Sequence, residues 1–117
     1  MIRLKRAYER AAAADGRRFL VERLWPRGVT RAALRLDAWL KDVAPSAALR
    51  TWYAHDVKNW PEFRRRYLAE LKANADALAP LRAAARAGAV TLVFASRDAD
   101  HCSALVLKEF LEQHRGR

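Results

Sequence analysis

This sequence has few cysteines and glycines, and its potential metal ligands show no diagnostic spacing. It contains one cysteine, Cys102, which excludes a disulfide framework and any zinc site built from several cysteines. Its four glycines stand in none of the spacings that form a phosphate-binding loop or a dinucleotide-binding turn. A metal site would have to gather His55, Asp56 and His101, whose spacing is not diagnostic of one. We therefore expect no metal and no cofactor.

Long apolar runs are also missing. The longest covers residues 89–95 and is interrupted by Thr91, whereas a membrane-spanning helix needs about 20 apolar residues. The first six residues carry charge within three positions and lack the apolar core of a secretory signal. These absences predict a cytoplasmic protein with no membrane partner. The length predicts a single domain over residues 1–117, with the last few residues as a frayed basic tail.

Acidic residues are few relative to basic ones. The chain has 13 Asp and Glu against 23 Lys and Arg, which gives a formal net charge of +10. Such a surplus attracts polyanions and anionic small molecules. Basic runs that could follow a nucleic acid backbone occur at residues 64–66, at Arg82 with Arg86, and at Arg115 with Arg117. No helix-turn-helix, zinc-finger or ribonucleoprotein motif accompanies them, and a solvated helix face is the better explanation of any single run.

The periodicity of apolar residues predicts an α/β order of elements. Strands are expected over residues 2–8, 19–25 and 89–95, and the last is apolar on both faces, as in a buried parallel strand. Five helices are expected, at residues 31–34, 47–54, 60–73, 76–87 and from a cap at Asp98 or Asp100 to about His114. Residues 37–45 fit either an edge strand or an ordered loop. This order predicts a small three-layer α/β domain with a short, mostly parallel sheet flanked by helices.

Several stretches of the chain resemble one bacterial family. The strongest are residues 21–28 (VERLWPRG), 39–46 (WLKDVAPS) and 92–98 (LVFASRD), the last followed by His101. Together with residues 52–56 and 63–67, they resemble the YeaO-like proteins, a branch of the domain of unknown function 488. The likeness covers about residues 2–111 and implies a small cytosolic α/β protein, but it brings no reaction with it. The chain departs from the family pattern at Cys102, where Asn is frequent, which argues against a nucleophilic thiol.

The end of the second predicted strand carries candidate ligand-binding residues. Ligands of open α/β sheets gather at the carboxyl ends of strands. Arg23, Trp25 and Arg27 alternate there, so they point to one side if the chain stays extended. Two guanidinium groups beside an indole can clamp a phosphate or carboxylate and stack a planar group. The alternative is that Trp25 fills the core and the arginines pair with acids.

The segment after the last predicted strand carries a second set of candidates. Free N–H groups at a helix start bind anions, and Ser96 and Arg97 would add donors there. Asp98 would cap the helix or pair with an arginine. His55 and His101 could form an acid/base pair if both faced one cleft, and isolated surface histidines are the alternative.

These strand-end residues lead to the main hypothesis, a protein that binds or acts on a small anionic ligand such as a phosphorylated metabolite or nucleotide. The expected ligand-binding residues are Arg23, Trp25, Arg27, Ser96, Arg97 and Asp98, and the candidate catalytic residues are His55 and His101. Whether the protein is an enzyme stays open at this point. The alternatives are a basic nucleic-acid-binding or regulatory module without catalysis, and a protein-interaction subunit that uses exposed tryptophans.

Overall fold

The computed structural model describes residues 1–113. Four parallel strands form one sheet in the order β1-β4-β2-β3, with bounds β1 (Ile2–Arg6), β2 (Arg17–Leu20), β3 (Ala38–Trp39) and β4 (Val90–Phe94). The helices are α1 (Arg31–Leu34), α2 (Ala47–Tyr53), α3 (Trp60–Ala73), α4 (Ala75–Ala87) and α5 (Ser103–Gln113). The predicted α/β domain, with a parallel sheet flanked by helices, is confirmed. His114, Arg115 and Arg117, on which the predicted helix end and basic tail fall, lie outside the described residues.

The core lies mainly on one face of the sheet. All five residues of β4 are buried because the strand pairs with β1 on one side and β2 on the other, which confirms the predicted buried parallel strand. Val90, Leu92 and Phe94 join the main core with residues of α2 to α5. The opposite face carries a smaller cluster with Leu20 and Val93, covered by α1 and the segment before it. No described helix has both the length and the apolar character that a bilayer crossing requires.

The second strand is shorter than the sequence pattern predicts. A strand to Trp25 was expected, but β2 ends at Leu20, and the last bond to β4 runs from the Val21 N–H to the Val93 carbonyl at 3.1 Å. Its other neighbour, β3, has only two residues, so the ladder on that side ends there. The chain therefore leaves the sheet, and the three residues at 23, 25 and 27 do not share one strand face.

The last helix begins later than expected. The Ser103 start of α5 leaves residues 98–102 outside the helix. The Asp98 side chain accepts the Asp100 N–H at 3.1 Å, and the Asp98 carbonyl accepts the His101 N–H at 3.4 Å. Asp98 thus organises a turn ahead of the helix, and His101 belongs to that turn instead of the first helical turn.

Residues 37–45 combine the two interpretations that the sequence left open. The two residues of β3 form an edge strand, and a short 3-10 turn follows at Lys41–Val43. The next helix, α2, begins directly after Ser46, whose hydroxyl caps it by accepting the Leu49 N–H at 3.2 Å.

Candidate ligand-binding cleft

A cleft of about 530 Å³ opens where β2 and β4 end. Its walls are the chain that leaves β2, the start of α2 with the residues after it, the residues that follow β4, and the start of α5. This is the edge at which parallel α/β sheets bind ligands. The polar side chains on which ligand binding would depend are Glu22, Arg23, Arg50, His55, Ser96 and His101.

Glu22 and Arg23 reach the cleft because the chain turns out of the sheet after β2. The Glu22 carbonyl accepts a hydrogen bond from the Trp39 indole N–H at 2.7 Å, which anchors the turn. The Arg23 guanidinium donates to the Pro45 carbonyl at 3.3 Å and so ties the turn to the segment before α2. Burial raises the pKa of the Glu22 carboxyl, and the positive charge of Arg50 opposes that shift.

His101 is held in place by two contacts. Its Nδ1 lies 2.9 Å from the Asp98 Oδ2, and its ring stands edge-on to Trp60 with 5.4 Å between centroids. The hydrogen bond from His101 holds the pKa of the Asp98 carboxyl below its ordinary value. Since Nδ1 is engaged, Nε2 is the ring nitrogen that stays without a protein partner in the described part of the chain. His101 can therefore present one nitrogen to a ligand.

His55 reaches the same cleft from the end of α2. It has a positive φ of 60°, which turns the chain away from the helix, and its ring lies 6.0 Å from that of Tyr53. The structure thus brings His55 and His101 to one cleft, together with Arg23 and Ser96. The Ser96 hydroxyl accepts the Asp98 N–H at 3.2 Å, which holds the loop after β4 in shape.

Trp25, Arg27 and Arg97 do not line this cleft. The Trp25 indole N–H donates to the Val29 carbonyl at 2.6 Å, and its ring packs against the smaller core cluster on the other face of the sheet. Arg27 and Arg97 are exposed. Asp98 is not a lining residue either, and it acts on the cleft by orienting His101.

Arg50 and Glu22 line the cleft although neither was predicted as a site residue. On α2, Arg50 lies three residues after Ala47 and three before Tyr53, and all three line the cleft. Helical periodicity was therefore a usable signal for Arg50. The orientation of α2 also depends on Glu70, which accepts the Ser46 N–H at 2.8 Å and the Ser46 hydroxyl at 2.7 Å. That contact joins residues 24 positions apart and has no local signature.

Cys102 lines the cleft, but its thiol is poorly suited to nucleophilic attack. Burial raises its pKa, and the negative charges of Glu22 and Asp98 add to the shift. A thiol with a raised pKa stays protonated near neutral pH and reacts slowly. Across residues 1–113, no group of three or more His, Cys, Asp or Glu side chains could hold a metal ion.

Comparisons with known proteins place the chain in a family. A family model described as "Inactive DUF488-N3 subclade" matches residues 1–117. The uncharacterized protein Rv3073c of Mycobacterium tuberculosis is 43% identical over 110 residues, which cover 94% of this chain and 92% of that protein. The uncharacterized protein YeaO of Escherichia coli is 38% identical over 110 residues, covering 94% and 96% respectively. No solved structure matches the chain. With the family model spanning every residue and two such relatives spanning most of it, the chain belongs to the YeaO-like branch of the DUF488 family.

Proposed function

We propose that this protein binds a small anionic ligand, such as a phosphorylated metabolite or nucleotide, in the cleft at the ends of β2 and β4. The observation that carries the proposal is the charge of the lining. Two arginines, Arg23 and Arg50, stand against a single acidic lining residue, Glu22, and the rings of His55 and His101 add hydrogen-bonding nitrogens. Guanidinium groups form paired, charge-assisted hydrogen bonds with phosphate and carboxylate groups.

Size and surroundings also support a small ligand. The cleft volume of about 530 Å³ falls in the range of about 300–1,000 Å³ that is usual for small-molecule sites. The start of α5 at Ser103 borders the cleft, and the positive end of a helix favours a bound anion. The rings of Tyr53 and Phe63, which stack with 4.3 Å between centroids, add an apolar wall for the uncharged part of the ligand.

We propose binding without turnover. The matching family model carries the word "inactive" in its description. The Cys102 thiol, with its pKa raised by burial, does not offer an activated nucleophile. His55 and His101 would then bind the ligand through hydrogen bonds and would not act as an acid/base pair.

Substitution of the cleft arginines tests the proposal directly. We expect Arg23→Gln and Arg50→Gln each to weaken binding of inorganic phosphate or a nucleoside monophosphate by about tenfold or more, since a hydrogen bond to a charged group contributes about 1.5–3 kcal/mol. The measurement is the ligand-induced rise in melting temperature, supported by calorimetric titration.

Arg27→Gln and Arg97→Gln are the matched controls, because both remove the same charge from exposed positions outside the cleft. These two variants should bind anions about as well as the unaltered protein. The proposal fails if no anion binds, or if all four variants lose the same amount of affinity.

Glu22→Gln should increase both stability and anion affinity at neutral pH. Burial raises the pKa of the folded Glu22 carboxyl, so the folded chain binds this proton more tightly than the unfolded chain. The free energy of unfolding therefore falls as pH rises from the ordinary carboxyl value through the raised one. Urea unfolding at pH 4 and pH 8 should show a gain for Glu22→Gln that is larger at pH 8. A gain that is equal at both pH values would contradict the assigned cause.

A further inference from the structure

A second groove lies at the same edge of the sheet, next to the end of β1. It encloses about 810 Å³ between residues 7–11 and residues 28–35. The Tyr8 hydroxyl donates to the Arg27 carbonyl at 3.2 Å and joins the two segments. The groove shares no lining residue with the ligand-binding cleft.

The lining of the groove keeps a net positive charge, because it holds two arginines, Arg10 and Arg35, and one acid, Glu9. Residues 6–10 and 27–35 contain one acidic residue, Glu9, whose carboxylate accepts the backbone N–H of Arg6 at 2.6 Å. Within residues 1–113, no ion pair joins a carboxylate to any arginine of the two segments. Those arginines are Arg6, Arg10, Arg27, Arg31 and Arg35.

The basic run at residues 64–66 on α3, a candidate nucleic-acid surface by its sequence, differs from the groove because its arginines are in ion pairs. Arg65 and Arg66 both bind Glu62, at 2.6 and 2.7 Å, and Arg64 binds Glu109 at 3.0 Å. Each of these three arginines therefore already has a carboxylate partner on the protein, and Arg65 and Arg66 share theirs. Arg10 and Arg35 of the groove, by contrast, have no ion-pair partner within residues 1–113.

An exposed aromatic ring adds a second kind of contact. The Tyr8 side chain is 50% exposed, and the Arg6 guanidinium lies 5.1 Å from the centre of its ring. Proteins that bind single-stranded nucleic acid combine a basic groove with aromatic rings on which bases stack. A duplex keeps its bases stacked within the helix, so this ring would contribute less to duplex binding.

We propose that the groove binds single-stranded nucleic acid, with Arg10 and Arg35 on backbone phosphates and Tyr8 against a base. Arg10 and Arg35 both line the groove and are exposed. Their guanidinium groups can each make paired hydrogen bonds to a phosphate. This surface is separate from the ligand-binding cleft and does not depend on its proposed function.

The salt dependence of binding distinguishes phosphate contacts from other causes. The probe is a fluorescently labelled 12-nucleotide oligothymidine, titrated by anisotropy at several salt concentrations. In the double variant with Arg10→Gln and Arg35→Gln, the slope of log affinity against log salt should fall by about 0.7 for each lost phosphate contact. The matched control combines Arg3→Gln with Arg86→Gln, which removes the same charge from exposed positions outside the groove and should leave the slope unchanged.

Tyr8 substitutions test the stacking contact. Tyr8→Ala should lower affinity by about tenfold with an unchanged salt slope, since stacking on an aromatic ring is not a phosphate contact. Tyr8→Phe keeps the ring and should retain the affinity. Melting temperatures close to that of the unaltered protein verify that the variants are folded.

Four results would overturn the proposal. They are no binding at about 50 mM salt, equal loss of slope in the groove and control pairs, equal affinity for a duplex of the same length, and equal affinity for polyglutamate. The first two remove the groove as a binding surface. Equal affinity for the duplex shows that exposed bases add nothing, and equal affinity for polyglutamate shows that any polyanion suffices.

Discussion

Asp15→Ala is expected to lower the free energy of unfolding by about 3–5 kcal/mol, the usual cost of leaving a buried charge without its partner. The Asp15 Oδ2 lies 2.7 Å from the Arg18 Nη1, and the two side chains are only 5% and 4% exposed. The Lys5 ammonium, 3.0 Å from the Asp15 Oδ1, is the second partner of the carboxylate. Without the carboxylate, the Arg18 charge stays in the interior of the protein unpaired.

Other contacts of Asp15 and Arg18 make the loss difficult to repair. The Asp15 carboxylate also accepts the Ala12 N–H at 2.9 Å, and the Arg18 Nε donates to the Leu34 carbonyl at 2.8 Å. The Arg18 Nη2 is buried and has no hydrogen-bond partner among residues 1–113. One N–H group of this arginine is thus already unsatisfied, so removal of Asp15 would add to an existing cost.

Urea unfolding measures this loss, and its pH dependence identifies the cause. Burial alone would raise the pKa of Asp15, but hydrogen bonds from the Ala12 N–H, Lys5 and Arg18 hold it below the ordinary value. The stabilisation is therefore fully present above the ordinary carboxyl pKa and is lost as pH falls through the lowered one.

Glu62→Ala is the control for the buried pair, because Glu62 binds Arg65 and Arg66 on the surface, where solvent screens the interaction. It should cost far less stability than Asp15→Ala. Equal losses in the two variants would show that burial of the Asp15 pair has no special effect.

Gly16→Ala is expected to cost at least about 3 kcal/mol, from backbone strain and a steric clash together. Gly16 has a φ of +66°, and a Cβ there would lie 2.3 Å from the Ala89 carbonyl oxygen. The same oxygen accepts the Arg17 N–H at 3.1 Å, where β2 begins to pair with β4. The clash would therefore disturb the start of a central strand pair.

Gly28→Ala separates the two causes. Gly28 also has a positive φ, +78°, but a Cβ at this position meets nothing within 4 Å. Its substitution should cost only the strain of a left-handed conformation, about 1–2 kcal/mol. Chemical denaturation of both variants measures the difference. A Gly28 variant as unstable as the Gly16 variant would mean that strain, and not the contact with Ala89, dominates.

Much of the fold was predictable from local patterns. On α3, Phe63, Tyr67 and Leu71 follow one another at intervals of four residues, the spacing of one helix face, and all three are buried. The continuous apolar run of β4 predicted a strand buried on both faces, as in the middle of a parallel sheet, and all five of its residues are buried. Ser46, a residue type that favours helix starts, stands directly before α2 and caps it with its hydroxyl.

The membership of the cleft was only partly predictable. Arg23, Ser96, His55 and His101 stand near the ends of elements that the sequence identified, and they line the cleft. Trp25 does not, because its strand pattern continues past the point at which β2 loses its neighbours. Alternation along a strand describes side-chain direction only while the chain remains paired.

Periodicity, caps and turn residues act within a few positions, and the order of elements, the central strand and the main buried faces follow from them. Contacts between distant residues determined two other features. One is the end of β2 beside the short β3, and the other is the position of the start of α2, which the Glu70 carboxylate holds. Local patterns cannot encode such contacts, because the partners meet only when the chain folds. The net charge of +10 was visible in composition. Its division between the cleft, the groove and the ion pairs on α3 depends on where folding places each arginine.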